Sequence, residues 1–331
     1  MSGRSARIIG WCAVLGAVMA IAGCGGGGGG GGGGSSSGGG GGGRTAVAVQ
    51  DVAGIPSDYL TAGVKKGFFK KHGLDVTVKT AAGGAAIIPA VVSGDVQFGG
   101  SNVVSVLLGA TKGLPIKLVA PGTFGPASKK ADWSAILVKG DSSIRSPKDL
   151  EGKTIAVNTL NNVATETARA ALENLGVDAT RVKYTEIDFP DMLAALDQGR
   201  VDAAFEIEPF VTAGLNQGDR RIVSPYYDTK PGLQIGTYVA SEKYVQENPD
   251  VVKAFQAGLA DTARFVSSQP DAFRKVLAAE GIKGAQDIRL PTWKPQVDMA
   301  SLKTHASLMQ KFDMIGEQPP IKDLVSTGTG S

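Results

Sequence analysis

The sequence predicts an α/β protein whose folded part has two similar lobes, each built on a largely parallel, doubly wound sheet. Short β-branched strands alternate with helical segments from Thr45 to Ala120 and again from Ser134 to Ile207, as in parallel sheets covered by helices. Residues 90–99 and 195–204 also repeat one unit, a helix end, a glycine turn and a buried strand. This unit is common in α/β proteins, but together with the doubled order it favours two lobes.

The first series of elements runs to residue 120. We predict strands at Thr45–Gln50, Leu74–Lys79, Val96–Phe98 and Ile116–Ala120. Helices are predicted at Tyr59–Lys71, Ala85–Ser93 and Ser101–Thr111. Each of these helices is followed within two residues by a glycine, a common residue at helix ends.

The second series repeats the alternation and ends in helices. We predict strands at Ser134–Lys139, Thr154–Val157, Val182–Ile187 and Val201–Ile207. A helix capped by Asn161 or Asn162 ends at Gly176, and another begins at Pro190 and ends at Gly199. Helices are then predicted at Pro249–Ser267, Pro270–Ala279 and about Gln296–Phe312. We expect these last helices to pack against the first lobe.

The N-terminus has the features of a secretory signal peptide. Arg4 and Arg7 precede the apolar run Ile8–Ala22, which is short for a membrane-spanning helix of about 20 residues. The residues Ile21-Ala22-Gly23-Cys24 resemble the bacterial lipobox. We therefore predict cleavage before Cys24 and lipid on that cysteine, which places the protein outside the cytoplasm, anchored to the membrane. The alternative, an uncleaved anchor helix, is disfavoured by the length of the run.

The segment Gly25–Arg44 is predicted to be a flexible tether, because it consists almost entirely of glycine and serine. About 20 residues of such a coil have an r.m.s. reach of roughly 25 Å. The tether and the signal peptide contribute no part of the fold.

Composition excludes several kinds of function for the folded part. The net charge of +3 comes from Arg4, Arg7 and Arg44, and the remaining 31 basic residues equal the 31 acidic ones. A body without net charge offers no electrostatic reason to bind nucleic acid. Both cysteines lie before residue 25, and His72 and His305 are the two histidines. We therefore expect no disulfide, no cysteine nucleophile, no metal centre and no cofactor.

Six short segments stand out along the chain: Gly63–Val76, Ser93–Val96, Gly113–Ile116, Asp149–Thr154, Leu196–Ala203 and Glu208–Pro209. They resemble segments of a family of solute-binding proteins of ABC importers, those for nitrate, sulfonates, taurine and thiamine pyrimidines. Each is weak alone, but their order and spacing also agree, from about Thr45 to at least Phe255.

The resemblance implies a type II periplasmic-binding-protein fold, two doubly wound lobes joined by two hinge crossings. The crossings are expected near Leu137–Asp141 and Gly232–Thr237. Lobe 1 would then comprise residues 45–137 and 236–331, and lobe 2 residues 138–235. The family also implies a monomer that captures a small molecule between the lobes and delivers it to an ABC permease in the same membrane.

Candidate ligand-binding residues follow the predicted strands, where open α/β sheets bind ligands. Ser101 and Asn102 begin a helix, and Asn158, Asn161 and Asn162 form the matching loop of the other lobe. Free N–H groups there could hold an anionic or polar group. The alternative is that these residues cap helices or form turns.

Further candidates are Tyr59, Thr123 and Phe124, followed by Glu206 and Glu208. The aromatic rings could stack on a ligand or cover the core. The two carboxylates share one face of a strand and would suit an amine, an amidine-like ring or a hydroxyl, unless they lie in a solvated turn before Pro209. Because no basic cluster marks these loops, an uncharged or amino-bearing ligand is favoured over nitrate or a simple sulfonate.

Two other functions remain open from the sequence. A sensor that signals to a membrane kinase would bind its ligand between two lobes in the same way. A thiamine-pyrimidine-synthase-like enzyme shares the fold, but it relies on a cysteine-rich segment, and no cysteine follows Cys24. No nucleophile–base pair, GK[ST] phosphate loop or paired metal ligands is evident either. The sequence therefore favours binding over catalysis.

Overall fold

The structure is a computed structural model that describes residues 43–326. The predicted signal peptide, Cys24 and nearly all of the glycine-rich tether lie outside the described residues. Between residues 43 and 326, none of the helices has both the length and the apolar character that crossing a membrane requires.

The described chain alternates strands and helices as expected. The strands are β1 Thr45–Val52, β2 Leu74–Ala81, β3 Phe98–Asn102, β4 Ile116–Pro121, β5 Thr123–Phe124, β6 Ser134–Val138, β7 Thr154–Val157, β8 Lys183–Glu186, β9 Ala203–Ile207, β10 Arg220–Val223, β11 Gly236–Ser241 and β12 Thr292–Trp293. The helices are α1 Ile55–Lys65, α2 Phe68–Lys71, α3 Gly84–Ser93, α4 Val103–Thr111, α5 Val163–Asn174, α6 Phe189–Asp197, α7 Phe210–Asn216, α8 Pro225–Thr229, α9 Glu242–Glu247, α10 Pro249–Ser268, α11 Pro270–Ala279, α12 Met299–Lys311 and α13 Ile321–Leu324.

Two five-stranded sheets share one topology. The first has the order β2-β1-β3-β11-β4 and the second the order β8-β7-β9-β6-β10. In each sheet the first three strands are parallel, and the fourth is antiparallel to both of its neighbours. The two similar doubly wound lobes predicted from the sequence are therefore confirmed. We call the lobe around the first sheet lobe 1 and the lobe around the second lobe 2.

The first chain crossing lies earlier than expected. Strand β6 belongs entirely to the sheet of lobe 2, so the chain leaves lobe 1 before Ser134 rather than near Leu137–Asp141. The sequence showed an apolar strand at this position, but the periodicity of a strand does not reveal the sheet with which it pairs. Residues 134–137, assigned to lobe 1 from the sequence, thus lie in lobe 2.

The two crossings run side by side and are hydrogen-bonded to each other. The amide of Ile235 donates to the carbonyl of Thr123 at 2.8 Å, and that of Gly125 donates to the carbonyl of Leu233 at 2.7 Å. A third bond joins Gly232 N–H to Pro126 O at 3.0 Å. The connection between the lobes is therefore a short two-stranded ribbon.

Local differences from the predicted elements have identifiable causes. The helix expected at Tyr59–Lys71 is divided into α1 and α2, and Gly67 between them has φ 75°, a conformation that interrupts a right-handed helix. Strand β3 continues to Asn102, and α4 begins at the next residue. As expected, α10 packs on lobe 1, in contact with α1, α2 and β4, whereas α12 contacts both α4 of lobe 1 and α5 of lobe 2.

Candidate ligand-binding cleft

A cavity lies between the lobes, at the carboxyl ends of strands from both sheets. Lobe 1 lines it with residues at or just after the ends of β1, β3 and β4, and lobe 2 with residues at or just after the ends of β7 and β9. This is the position at which open α/β sheets bind ligands. About 50 Å³ is open to the centre of a water-sized sphere, which is room for a few waters or a small organic molecule.

Five of the ten residues predicted to bind a ligand line this cavity. They are Ser101, Asn102, Thr123, Asn158 and Asn162. The other five do not line it: Tyr59, Phe124, Asn161, Glu206 and Glu208.

Two of the cavity-lining asparagines cap helices. The Asn102 side chain accepts from Ser105 N–H and donates to Ser105 Oγ. The Asn162 side chain accepts from the amides of Ala164 and Thr165 at the start of α5. Capping, the alternative considered from the sequence, is thus the role that the structure shows, and it orients the first turns of α4 and α5 at the cavity.

The loop after β7 bonds lobe 2 to lobe 1. Asn158 Nδ2 donates to the carbonyl of Ala82, in the loop before α3, at 2.7 Å. The Asn158 oxygen accepts from Asn162 Nδ2 at 2.9 Å, so one amide chain links the lobe contact to the cap of α5. Asn161 is exposed and has φ 52°, so it forms the turn, as the sequence allowed.

Tyr59 and Phe124 lie in the interior rather than in the cavity. The Tyr59 hydroxyl donates to the carbonyl of Leu259 at 2.6 Å, and its ring stacks on Trp293 with centroids 4.5 Å apart. Phe124 is fully buried on the crossing ribbon. Both rings cover the core, the second possibility raised by the sequence, and we leave them out of the proposed site.

Glu206 of β9 and Glu208, directly after this strand, are buried and do not line the cavity. Alternation along the strand places Ile207 in the cavity wall and turns its neighbours away. Glu208 accepts from the backbone and hydroxyl of Thr212 at 3.0 Å and forms an ion pair with Arg289. Glu206 has no hydrogen-bond partner among the described residues, and burial, with repulsion from Asp219, raises its pKa well above the ordinary value. Neither residue is placed to hold a ligand.

The carboxyl group that does line the cavity is that of Asp51, at the end of β1. Its side chain is 2% exposed, and Oδ1 accepts from Val52 N–H at 2.7 Å. It lies against Gly100, where a Cβ atom would come within 2.2 Å of the carboxyl. Asp51 was not among the binding residues predicted from the sequence. Its position directly after a predicted apolar strand could have indicated it.

Burial raises the pKa of the Asp51 carboxyl from 3.8 to about 7. The Val52 amide and the nearby Tyr238 hydroxyl oppose the shift, and Asp58 adds to it. No cationic side chain among the described residues contributes to this shift.

The walls of the cavity are aromatic and carry no basic side chain. Trp133, Phe189, Tyr226 and Tyr238 all line it. Among the described residues, no lysine, arginine or histidine lines it. From the sequence, Trp133 could not be assigned to the cleft, because the sheet to which the neighbouring strand belongs was not known.

A buried ion pair joins the lobes beside the crossings. His305 of α12 contacts Glu166 of α5 through Nδ1 at 2.6 Å, and its Nε2 lies 2.8 Å from the carbonyl of Gln234 on the ribbon. Both side chains are fully buried. Burial lowers the pKa of His305, and Lys230 lowers it slightly further. Glu166 and the Gln234 carbonyl together raise it by more, so the pKa of His305 lies above its ordinary value. Burial also raises the pKa of Glu166, so the pair as a whole retains its proton.

The comparisons with known proteins agree with this architecture. The chain belongs to the NMT1/THI5-like family, whose sequence model matches residues 59–273. It is 29% identical over 208 residues to the taurine-binding periplasmic protein of Escherichia coli K12, and 22% identical over 222 residues to the formylaminopyrimidine-binding protein of Halalkalibacterium halodurans. The matched parts cover 63% and 66% of this chain, and 62% and 65% of those proteins, less than two thirds of either.

Solved structures share the fold at lower identity. The alkanesulfonate-binding protein SsuA from Xanthomonas axonopodis pv. citri, bound to MOPS, superimposes with a TM-score of 0.72 at 16% identity, covering 86% of this chain and 98% of that chain. The desulfurization enzyme DszB superimposes with a TM-score of 0.61, also at 16% identity, with the same coverage of each chain. The type II periplasmic-binding-protein fold is thereby confirmed, and this fold also occurs in an enzyme.

Replacing His305 with alanine tests the buried pair. We expect the free energy of unfolding to fall by about 3–5 kcal/mol, because Glu166 is left buried without its partner. Lys311→Ala is the matched control, since it breaks the exposed pair with Glu173 between the same two helices and should cost less than about 1 kcal/mol. Equal losses for the two variants in chemical denaturation would contradict the assignment.

The same pair makes stability depend on pH. A His305 pKa above 6.5 means that the folded chain binds more protons than the unfolded chain at higher pH. Its stabilising contribution is therefore present below pH 6.5 and is lost as pH rises through the folded pKa. Asp51 and Asp58, with pKa values of about 7, also lose stability in this range, and removing His305 alone leaves the raised pKa of Glu166. Between pH 6 and 9 the free energy of unfolding should therefore fall more steeply in the wild type than in the double variant Glu166→Gln/His305→Ala.

Proposed function

We propose that this protein is the extracytoplasmic solute-binding component of an ABC importer, which captures a small organic solute between its lobes. The observation that carries the proposal is the inter-lobe cavity, closed by contacts between the lobes and lined by polar groups of both. Asn158 bonds to Ala82 across the cleft, and the amide of Ile55 donates to the carbonyl of Glu208 at 2.8 Å. The family and the binding proteins to which the chain is similar support this proposal.

The mechanism is hinge closure about the two-stranded ribbon. The two hydrogen bonds across the cleft at Asn158 and Ile55 join backbone and amide groups that water can satisfy when the lobes separate. Losing these two bonds therefore costs the open form little, and a ligand that bonds to both lobes selects the closed form. The closed form then presents the solute to a permease in the same membrane. Sulfonate-, taurine- or nitrate-like solutes and aminopyrimidine-like solutes are the candidate classes.

A lipid on Cys24 would hold the protein near its permease. This cysteine precedes the glycine-rich tether, which would let the two lobes turn freely while keeping them concentrated at the membrane. We propose that the protein acts as a monomer on this anchor.

A sensor that signals to a membrane kinase is the second candidate, because the same closure would serve it. Enzymatic activity is less well supported. Within the described residues, the cavity is lined by no cysteine, histidine or lysine, so the Ser101 hydroxyl has no such base beside it. The aromatic and polar walls fit selective binding better than acyl or group transfer.

A thermal-unfolding screen of the full chain in detergent tests ligand capture. The panel contains small sulfonates, nitrate, aminopyrimidines, amines and amino acids. A specific ligand at a hundred times its Kd should add about 2.7 kcal/mol to the free energy of unfolding. If no compound in this panel stabilises the protein, capture of a small solute of these classes is contradicted.

A wedge variant shows whether binding needs closure. A Cβ atom at Gly83 would lie 3.0 Å from Asn158 Nδ2 and Thr159 Oγ1 of the other lobe, and Gly83 has an extended φ of 172° that other residues adopt. Gly83→Leu should oppose closure by about 1–3 kcal/mol and weaken binding of the stabilising compound about 5- to 150-fold. Ala85→Leu adds similar bulk at an exposed position and should leave binding unchanged. Equal affinities for the two variants would contradict the clamp.

Lipid attachment is tested by metabolic labelling with a fatty-acid analogue in a bacterial host. The wild type and Cys12→Ala should carry the label and sediment with membranes. Cys24→Ala should lose the label, because the other cysteine lies inside the predicted signal peptide. A label that persists in Cys24→Ala would overturn the proposed anchor.

A further inference from the structure

One side of the cavity carries polar groups whose hydrogen-bonding capacity is unused. Asp51 Oδ2 and Ser101 Oγ are both buried, and neither has a well-formed hydrogen bond among the described residues. They belong to neighbouring strands, because Gln50 of β1 pairs with Gly99 of β3. Buried polar groups in native proteins are normally satisfied. An unpaired donor and an unpaired acceptor in one cavity therefore indicate a ligand that carries both a hydrogen-bond acceptor and a hydrogen-bond donor.

Of the side chains that the structure describes, none with a positive charge lies in the cavity with Asp51. Val52 gives a backbone N–H, Tyr238 of β11 a neutral hydroxyl, and Asp58 of α1 a second acid. Across the cavity, lobe 2 contributes Asn158, Asn162 and aromatic rings but no basic side chain. A ligand with a positively charged nitrogen would be the missing partner, whereas a bare anion would be repelled by the carboxylate.

The opposite wall suits negative charge. Asn162, Val163 and Ala164, the N-cap and first residues of the 12-residue helix α5, line the cavity. The N-terminal end of a helix carries a partial positive charge and stabilises anionic groups. Glu166 in the same turn faces away from the cavity and pairs with His305. The cavity is thus bounded by a carboxyl group from lobe 1 and by the N-terminal ends of α4 from lobe 1 and α5 from lobe 2.

We infer that Asp51 determines specificity, and that the ligand is a small zwitterion whose ammonium group binds Asp51 while its acidic group lies at Ser101 and the start of α5. This inference rests on the proposed solute-binding function. Its acidic group would contact Ser101 of lobe 1 and the start of α5 in lobe 2, while its ammonium group would neutralise Asp51. An alkanesulfonate without nitrogen would make the first set of contacts and leave the Asp51 carboxyl unpaired.

Binding of such a ligand depends on pH through Asp51. The pKa of Asp51 is about 7 before binding, and an ammonium group binds the ionised carboxylate. Binding therefore releases a proton below pH 7. The affinity should fall as pH drops below this value, by up to about tenfold per pH unit.

The experiment compares taurine (2-aminoethanesulfonate) with ethanesulfonate, which lacks the nitrogen, and with ethylamine, which lacks the acid. Calorimetry on the full chain in detergent at pH 8 measures each affinity. We expect taurine to bind at least tenfold more tightly than either fragment. In Asp51→Asn, which keeps the shape but removes the charge, the preference for taurine over ethanesulfonate should fall to threefold or less, and the affinity for taurine should no longer change between pH 6 and 8.

Asp58→Asn is the matched control. Burial and repulsion from Glu280 also raise the pKa of Asp58 to about 7, but Asp58 does not line the cavity, so its variant should keep the wild-type preference for taurine. The pH dependence should remain but move to lower pH, because Asp58 adds to the raised pKa of Asp51. Equal binding of taurine and ethanesulfonate, or an unchanged preference in Asp51→Asn, would overturn the inference. If none of these three compounds binds but another compound of the wider panel stabilises the chain, the inference of a zwitterionic ligand is wrong and the proposed solute binding is retained. If nothing in either set binds, the proposed function itself fails.

Discussion

The hydrogen-bonded pairing of the two chain crossings is the constraint on which the rest of the structure depends. The chain runs from lobe 1 into lobe 2 through residues 123–133 and returns through residues 230–236, and three backbone bonds hold these segments together. These bonds pair backbone groups of the two segments with each other, so those groups need no solvent partner where the ribbon is buried. The described chain passes between the lobes at this ribbon, and the carboxyl ends of strands from both sheets line a common cavity. The proposed closure would turn the lobes about the ribbon.

The polar groups near this cavity differ in how completely they are hydrogen-bonded. Groups such as Asn158, Asn162 and Glu208 are fully bonded, and they set the shape of the closed form. Asp51 and Ser101 retain unused capacity. In a protein that must release what it binds, contacts between lobes should be individually modest, and the ligand should supply what remains. The buried pair of Glu166 and His305 lies next to the ribbon rather than in the cavity, which suits a role in fixing the relative position of α5 and α12 near the hinge.

Much of the fold was predictable from the sequence, because hydrophobic periodicity and glycines at helix ends report local structure directly. The doubled order of elements and the family were also recognised. The position of the first crossing was not, since Ser134–Val138 reads as a strand whichever sheet it joins. The site was predicted in part for the same reason. Loop positions identified Ser101 and Asn158, but the direction of a side chain at a strand end depends on register. One residue of register separates Ile207 in the cavity wall from Glu206 in the interior.

Closure on a ligand is the central claim, and the distance between the lobes measures it most directly. Thr77 of β2 and Lys183 of β8 are exposed on the outer strands of the two sheets. The chain has no cysteine after Cys24, so spin labels on cysteines at these positions are selective once Cys12 and Cys24 are replaced by alanine. Pulsed electron–electron double resonance measures the distance between the two labels. Without ligand the distribution should be broad and centred at a longer distance, and with a saturating concentration of a stabilising compound it should be narrow and shorter. The same distribution in both states would contradict a clamp that closes on its solute.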